Sequence, residues 1–562
     1  MTKRQRIGFV IPLVWLFFWL ALDSMVMDSP TMDEQNHIAR GLTFLRTGDP
    51  RLSLEHPPLV NAISALPLLL LPDLHLPTDQ PSWQEMSPPG AYWYFYADQF
   101  LWQYNRPDVT QIIFLARLPI VYMTLALALV GFYLARRLWG WRAAWLAFLL
   151  LLFDPNLLAN GRYSTTDLGG TLFMLLAALA LWQMWRQPGW SWRHWAVAAF
   201  CLGLAFASKL SVLAFVPLWA LLALLPLYAI PGGKREKWTA LRRLVQYGSA
   251  GLVSLLVVWA MFGFELRPFR FNSDILAGLN HFMGPMPTFW AGIEQILLLN
   301  QGGRTAFLLG KTTTTGFWDY FPVALVVKTP PLTLLMASVA LVVLLRRQWR
   351  PVIFLLLPLV GYFALTLQSG LNIGYRHLLP MLPLLYVLIS GLAVGGTGRM
   401  GTLLRWGPVV VLLGLLLADA AIHPHYLSYF NCLAGGPEQG YNILIDSNVD
   451  WGQDLRRLAV WLEENDVGRV QLGWFGTAVP EYYGIEYDPL PGLGGVGQPQ
   501  FFDAWWQLPF DPAQPAPGVY AISVTSLWEF PLATADKYVY AFFRQREPDA
   551  RIGYSILIYD LR

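Results

Sequence analysis

The sequence predicts a polytopic α-helical membrane protein that carries a small α/β domain outside the membrane. Of its 562 residues, 55% are hydrophobic and only 13% are charged, whereas about a quarter of the residues of a soluble domain are charged. Long stretches of the chain hold almost no charge, and a helix needs about 20 apolar residues to cross a bilayer. We therefore expect most of the chain to lie within the membrane.

Apolar segments predict about eleven transmembrane helices. The first has the basic leader of a signal peptide but no small-residue cleavage site, so we expect an uncleaved anchor. The predicted spans are 7–27, 112–135, 143–160, 168–185, 195–208, 211–230, 244–264, 323–345, 351–367, 378–396 and 403–421.

Basic residues predict the orientation of these spans. They precede the first span and then occupy every second connection, and such residues stay on the cytoplasmic side. We expect a cytoplasmic N-terminus, and an odd number of spans then places the C-terminus outside. The residues are Lys3, Arg4, Arg6, Arg136, Arg137, Arg142, Arg186, Arg193, Lys234, Arg235, Lys237, Arg242, Arg243, Arg346, Arg347, Arg350, Arg399 and Arg405.

The predicted organisation is a membrane domain, 1–421, followed by an extracytoplasmic α/β domain, 422–562. Two long outer loops interrupt the membrane domain at about 28–111 and 265–322. In the tail, β-branched and aromatic content predicts strands and helical spacing predicts one helix. The strands are expected at 441–446, 470–476, 518–524 and 554–561, and the helix at 454–465. We expect a separable module that shapes acceptor access and carries no essential catalytic group.

Three acids in the tail stand apart from that expectation. Asp446, Asp450 and Asp454 are spaced by four residues, which could suit a cation site or a turn that caps the following helix.

Composition and motifs disfavour several classes of protein. Cys201 and Cys432 are the two cysteines, so no disulfide framework is predicted, which fits a bacterial plasma membrane. The net charge of +3 does not indicate a partner, because the positions of the basic residues are already explained by the orientation of the spans in the membrane. No nucleic-acid or nucleotide-binding motif is evident, so we expect no nucleic-acid partner and no ATP-driven pump.

Acidic residues gather at the predicted outer face. Asp33 and Glu34 follow the first span, and two prolines after Glu55 and His56 present this pair at a rigid corner. Asp167, in GRYSTTD, lies at the same face. Acids at a membrane mouth usually have a function, although each could instead be a solvated loop residue that caps a helix end.

Cations gather at the same face, against the charge rule for that side. Arg and Lys both bind phosphate, one as a fork and the other as a point charge, so their convergence predicts a bound phosphate. Each could instead extend to lipid headgroups or pair with a nearby acid. The predicted phosphate ligands are Arg162, Lys209, Lys328 and Arg376, with Arg117 as a weaker member and His377 as a supporting neighbour.

These motifs, in this order, resemble the polyprenyl-phosphate-dependent glycosyltransferases of the GT-C class. That group includes protein O-mannosyltransferases and the lipid A aminoarabinose transferase. The resemblance covers about residues 30–460 and is carried by Asp33-Glu34, Glu-His-Pro-Pro, Ser-Thr-Thr-Asp, FPVALVVKTPP (321–331), LNIGYRHLLP (371–380) and DSNVDWGQDLRRL (446–458). It implies a membrane enzyme that moves a sugar from a polyprenyl-phosphate donor to a protein, glycan or lipid acceptor.

The resemblance also implies roles for single residues. Asp33 stands where the family places its catalytic base, Glu34 is its supporting acid, and Asp167 is a further supporting acid. Glu55 and His56 stand where the family's loop meets the lipid phosphate or a metal. The aminoarabinose enzymes have Lys where this chain has His56, so a divalent cation is an open possibility. Two adjacent ligands make a poor metal site without others.

The chemistry of such a donor needs a base more than an acid. The lipid phosphate is already a good leaving group, so the reaction requires proton removal from the acceptor. A like-charged neighbour is expected to raise the pKa of Asp33. One displacement would invert the anomeric carbon.

Two other classes stay open. A transporter or lipid flippase would place charges near the midplane of broken helices, whereas these charges are predicted at one face. A membrane sensor with a ligand-binding tail would explain the tail but would give Asp33 and Glu34 no function.

Overall fold

Long apolar helices and one mixed β-sheet form the computed structural model of the protein. It describes residues 3–87, 91–228, 239–302, 304–394, 398–493, 505–506, 509–528 and 535–562. The predicted basic residues Lys234, Arg235 and Lys237 lie outside the described residues, and the orientation of the termini stays a prediction.

Helices occur at the predicted spans, with different lengths. Their bounds are Lys3–Val26, Val109–Trp139, Trp141–Leu152, Thr166–Trp185, Trp192–Ser208, Phe215–Leu224, Thr239–Met261, Tyr320–Lys328, Pro331–Arg347, Trp349–Thr366, Met381–Ser390 and Gly398–Ile422.

The predicted number of eleven membrane spans is not confirmed. Within the described residues, five helices are long and apolar enough to cross a membrane, or six if one bent pair forms a single span. The five are Arg106–Trp139, Thr166–Trp185, Thr239–Met261, Trp349–Thr366 and Leu403–Ile422. Shorter apolar helices occur at Val10–Val26, Pro58–Leu70, Trp141–Leu152, Leu210–Leu224 and Met381–Val394.

Prolines explain where predicted spans are interrupted. The span expected at 143–160 ends as a helix at Leu152, because Asp154 and Pro155 begin a new helix. The span expected at 323–345 bends by 106° where Pro330 and Pro331 follow Thr329. Proline cannot donate the helical hydrogen bond and restricts the residue before it, so a helix ends there.

The outer loops carry short elements of their own. Their helices are Glu34–Thr47, Pro58–Ala65, Pro81–Gln84, Tyr92–Asp98, Asp274–Ala277 and Pro287–Gly302, and two small hairpins pair Leu266–Pro268 with Met283–Pro285 and Ala306–Leu308 with Lys311–Thr313. The first of these helices begins at the acid pair.

A five-stranded mixed sheet forms the centre of the tail. Its strand order is Ala550–Ile552, Ile556–Asp560, Val519–Ser523, Val470–Gly473 and Tyr487–Pro489. The first two pairings are antiparallel and the last two are parallel. The predicted helix is found at Leu455–Glu464 and buries Leu455, Leu458 and Leu462.

One predicted strand is wrong. The segment 441–446 forms turns, and a short 3-10 helix follows at Asp446–Asn448. This segment lies against Tyr375 and the membrane domain and pairs with no strand of the sheet.

The tail shares a hydrophobic core with the first outer loop. One buried cluster joins Leu458 and Val519 of the tail to Ile38, Phe100 and Ile112 upstream. The backbone also connects the two parts, since Ser29 N–H donates to Gln453 O at 2.9 Å and Met32 N–H donates to Trp451 O at 2.8 Å. These contacts contradict the expectation of a separable module.

Candidate active site

The acid pair divides at the start of helix Glu34–Thr47. Glu34 is fully buried and forms an ion pair with Arg117, whose Nη2 lies 2.7 Å from Oε2. Its oxygens also accept from the backbone N–H groups of Thr31 at 2.9 Å and Ser164 at 2.8 Å. Glu34 is therefore occupied by the fold itself.

Asp33 is the member of the pair that a substrate can reach. Its side chain is 26% exposed, and its Oδ2 accepts from Nη1 of Arg376 at 2.8 Å. This arrangement leaves part of the carboxylate open while Arg376 holds it in place.

The expected rise in the pKa of Asp33 is not found. Burial acts to raise the pKa of this carboxyl, but the charge and hydrogen bond of Arg376, together with His37, outweigh burial, and the net pKa lies below its ordinary value. Glu34 contributes little because Arg117 neutralises it. Asp33 is thus ionised at neutral pH.

Arg376 joins Asp33 to a second acid. Its Nη1 lies 3.7 Å from Oδ2 of Asp167, and Asp167 also forms an ion pair with Lys209. Gly170 allows this approach, because a Cβ there would lie only 2.9 Å from Cβ of Lys209. Asp167 therefore positions both cations.

Three cations converge at His56. Burial lowers the pKa of His56, the neighbouring His37 lowers it further, and the charges of Arg40, Lys209 and Arg376 add to that effect. The rings of His56 and His37 pack edge to face, with their centroids 4.7 Å apart. An imidazole surrounded by so much positive charge stays neutral, so this place favours an anion.

His37 and His377 line the same region. Burial lowers the pKa of His37 to about 4, with a contribution from Arg40. Burial also lowers the pKa of His377 to about 3, and Lys209 and Arg376 contribute. Nε2 of His377 is buried and has no hydrogen-bond partner within the described chain. Both rings are neutral at physiological pH.

Arg40 is a site residue that the sequence-based prediction missed. It is 5% exposed, and no ion pair connects it to an acid among the described residues. Its buried Nε likewise has no hydrogen-bond partner there. The signal was present in MDEQNHIARG, because Asp33, His37 and Arg40 are spaced to share one face of a helix.

Five cations were predicted to converge on a phosphate. The structure brings two of them together, Lys209 and Arg376, which both pair with Asp167. Protein groups occupy the other three, because each is buried beside an acid or backbone carbonyls. Arg117 also donates to the carbonyls of Met25, Asp28 and Ser29. Arg162 pairs with Asp28 at 3.0 Å, and Nζ of Lys328 donates to Leu427 O at 2.8 Å and Asn448 O at 2.6 Å.

The metal hypothesis at Glu55 and His56 gains no further ligand. Among the residues that the structure describes, no group of three or more His, Cys, Asp or Glu side chains could hold a metal ion. Nδ1 of His56 instead hydrogen-bonds with Oγ1 of Thr166 at 3.1 Å.

A loop from the tail supports the Arg376 segment. The plane of the Arg376 guanidinium packs on Trp451, with Cζ 4.3 Å from the ring centroid. Oδ1 of Asn448 accepts from Tyr375 N–H at 2.9 Å. Gly374 permits this contact, because any Cβ there would collide with Oγ of Ser447.

Two of the three tail acids are structural. Asp450 accepts from Thr525 N–H at 3.0 Å, and Asp454 accepts from Arg457 at 2.6 Å and Ser555 at 2.7 Å. Both are fully buried. Neither forms a cation site, and the side chain of Asp454 makes no capping bond at helix Leu455–Glu464.

Comparison with known proteins gives one family match. Residues 88–271 match the family described as dolichyl-phosphate-mannose-protein mannosyltransferase. This region includes Asp167 and Lys209, but begins after Asp33 and ends before Arg376. No curated protein matches the chain.

Solved structures give distant matches. ArnT from Cupriavidus metallidurans in the apo state has 14% identity and a TM-score of 0.47, and covers 99% of this chain and 98% of its own. ArnT bound to undecaprenyl phosphate has 14% identity and a TM-score of 0.46, and the match covers 98% of this chain and 97% of the ArnT chain. The Archaeoglobus fulgidus oligosaccharyltransferase has 12% identity and a TM-score of 0.38, and the match covers 84% of this chain and 62% of the oligosaccharyltransferase chain.

These structural likenesses are too distant to bear on the site. The match to residues 88–271 agrees with the resemblance predicted from the sequence. Over residues 88–271 the chain is similar to the dolichyl-phosphate-mannose-protein mannosyltransferases, in agreement with the membrane glycosyltransferase class that the sequence predicted.

Proposed function

We propose that the protein transfers a sugar from a polyprenyl-phosphate donor to an acceptor on the extracytoplasmic face, with inversion. One observation carries this proposal: Arg376 pairs with the accessible Asp33, and Arg376 and Lys209 meet at Asp167. An anion site thus adjoins a carboxylate that can accept a proton.

The phosphate of the donor would bind among these cations. Arg40 has no acid to neutralise it within the described residues, so a phosphate supplies the missing charge. Lys209 and Arg376 are balanced by Asp167 and Asp33, so the excess positive charge of the cluster is that of Arg40. Charge-assisted hydrogen bonds from such groups to phosphate are short and strong.

Asp33 is the general base of the proposed reaction. The acceptor oxygen forms a bond to the anomeric carbon as the bond from that carbon to the phosphate oxygen breaks. The electron pair leaves with the polyprenyl phosphate, and the acceptor proton moves to Asp33. Arg40, Lys209 and Arg376 stabilise the negative charge on the leaving phosphate.

Donor binding would also prepare the base. In the structure, Arg376 pairs with Asp33 and holds its pKa low, which makes the carboxylate a weak base. A phosphate that draws Arg376 toward itself weakens this pair and raises the pKa of Asp33. The base therefore becomes effective when a donor is present.

The remaining predicted residues act in support. Asp167 positions Lys209 and Arg376, Glu34 anchors the helix that carries Asp33, and His56 and His377 line the anion site. Glu55 lies in the same loop, within electrostatic range of Tyr94, and we assign it to the rim of the site.

A donor-hydrolysis assay tests the proposed function. Purified protein in detergent is given undecaprenyl phosphate charged with mannose, glucose or aminoarabinose, and released undecaprenyl phosphate is measured. We expect release with at least one of these sugars. Movement of intact donor between vesicle leaflets without release would support a flippase, and binding without either would support a sensor.

A further inference from the structure

Asp446 is a tail residue that lies within electrostatic range of the catalytic groups. The hydroxyl of the next residue, Ser447, donates to Ile373 O at 2.6 Å, and Tyr375 N–H donates to Asn448 Oδ1 at 2.9 Å. These bonds place Asp446 beside the Arg376 segment, and the charges of Arg376 and Asp33 act on its carboxyl. It is the first residue of the loop that positions Arg376 through Asn448 and Trp451. The tail thus brings an acid to the place where base and phosphate site adjoin.

Part of the Asp446 carboxylate is free to bind a ligand. Oδ1 accepts from Ser447 N–H at 2.5 Å, whereas no described residue hydrogen-bonds to Oδ2. The side chain is partly exposed, unlike that of the fully buried Asp450. Asp446 also has a φ of 58°, a left-handed conformation that costs energy in a non-glycine residue and often occurs at functional sites.

We propose that Asp446 binds hydroxyl groups of the transferred sugar, so that the tail takes part in selecting that sugar. This inference rests on the proposed function. In a bound donor the sugar ring adjoins both the phosphate and the anomeric carbon that Asp33 serves. A carboxylate close to Arg376 and Asp33 is therefore placed beside the ring.

The chemistry of Asp446 suits a sugar better than a phosphate. A carboxylate accepts hydrogen bonds from hydroxyl groups and repels an anion. Burial raises the pKa of Asp446 to about 7, although Arg376 opposes the rise. At neutral pH part of the population is ionised, and the ionised group accepts hydrogen bonds from hydroxyl groups through Oδ2.

The test is the variant Asp446→Asn. Asparagine keeps the oxygen that accepts from Ser447 and tolerates a positive φ, so the loop should fold. The probes are bare undecaprenyl phosphate and the same lipid charged with whichever of the three sugars the wild type hydrolyses. We expect kcat/KM for hydrolysis to fall about tenfold to a hundredfold, while the affinity for the bare lipid is unchanged.

Asp450→Asn is the matched control, because it changes a buried acid in the same loop. It should lower thermal stability without changing the ratio of charged-lipid hydrolysis to bare-lipid binding.

Three results would overturn the inference. Wild-type hydrolysis by Asp446→Asn would remove Asp446 from sugar binding. Normal hydrolysis with slowed transfer would assign it to the acceptor, and equal loss of both bare-lipid affinity and hydrolysis would make its role structural. If the wild type hydrolyses none of the three donors, the proposed function fails, and this inference fails with it.

Discussion

At the residue scale, two neighbouring acids have different roles because the helix start points them apart. Glu34 faces Arg117 inside the protein, whereas Asp33 faces Arg376 at a partly exposed surface. Sequence adjacency therefore did not produce the like-charge repulsion that was expected. A cation, rather than a second carboxylate, controls the ionisation of Asp33.

Asp33→Asn should separate catalysis from binding. The change keeps the size of the side chain and removes the proton acceptor, so turnover should fall by about 10² or more. Donor affinity should barely change. Transfer rate and donor affinity of the purified variant provide the check, with Asp108→Asn, at an exposed acid outside the site, as the control. A near-normal rate would remove Asp33 from the mechanism.

Arg376→Gln should move the acidic limb of the activity profile to higher pH. Burial raises the pKa of Asp33 and Arg376 opposes that rise, so removing the cation should raise the pKa. Because the base works only when ionised, activity is then lost at a higher pH as the solution is acidified. The measurement is kcat/KM against pH, which reports the ionisation of the free enzyme, where Arg376 pairs with Asp33. An unchanged limb would mean that Asp33 does not titrate in the rate-limiting step.

Arg40→Ala and Lys209→Ala should each weaken donor binding. Loss of one charge-assisted contact to phosphate costs about 1.5–3 kcal/mol, or roughly tenfold to a hundredfold in affinity. Binding of bare undecaprenyl phosphate is measured for each variant. Lys311→Ala, at an exposed lysine in a hairpin of the second outer loop, is the control for lost charge. Normal affinity in the double variant Arg40→Ala with Arg376→Ala would refute the phosphate site.

At the element scale, the Glu34–Arg117 pair secures helix Glu34–Thr47 to the membrane domain. Arg117 reaches from helix Val109–Trp139 and also donates to the carbonyls that precede the acid pair. The position of Asp33 therefore depends on a buried ion pair one residue away.

Glu34→Gln should destabilise the protein without changing the pKa of Asp33. It leaves Arg117 buried without its counter-charge, which costs about 3–5 kcal/mol. Thermal unfolding in detergent should show a clear loss, whereas Asp33→Asn, which breaks a partly exposed pair, should change the midpoint little. Wild-type stability with a shifted pH profile would instead restore the paired-acid interpretation.

At the scale of the whole molecule, the tail and the membrane domain form one site. The loop 446–455 bonds to Ser29, Met32 and Tyr375, and its Trp451 covers Arg376. The tail therefore packs directly against the residues of the candidate site.

A chain that ends after Pro424 should lose donor hydrolysis. Truncation removes the partners of Arg376 and exposes the core that the tail shares with the first outer loop. Hydrolysis and melting of the truncated protein are compared with those of the full chain. A stable truncated chain that hydrolyses donor at the wild-type rate would restore the separable module.

The sequence alone predicted the membrane class, the resemblance to a glycosyltransferase family and Asp33 as the candidate base. Those features depend on local composition and on short motifs such as Asp33-Glu34, which are readable without a fold. It also predicted Lys209 and Arg376 as phosphate ligands, and the structure brings these two together at Asp167. Most strands and the helix of the tail followed from side-chain periodicity as well.

Only the tertiary structure decided which charges are free. Arg117, Arg162 and Lys328 are occupied by acids and carbonyls distant in sequence, whereas Arg40 has no such partner within the described residues. The tail's place at the site depends likewise on contacts across more than 70 positions, such as Tyr375 with Asn448. The availability of a charge depends on what packs against it, and that packing is a property of the folded chain.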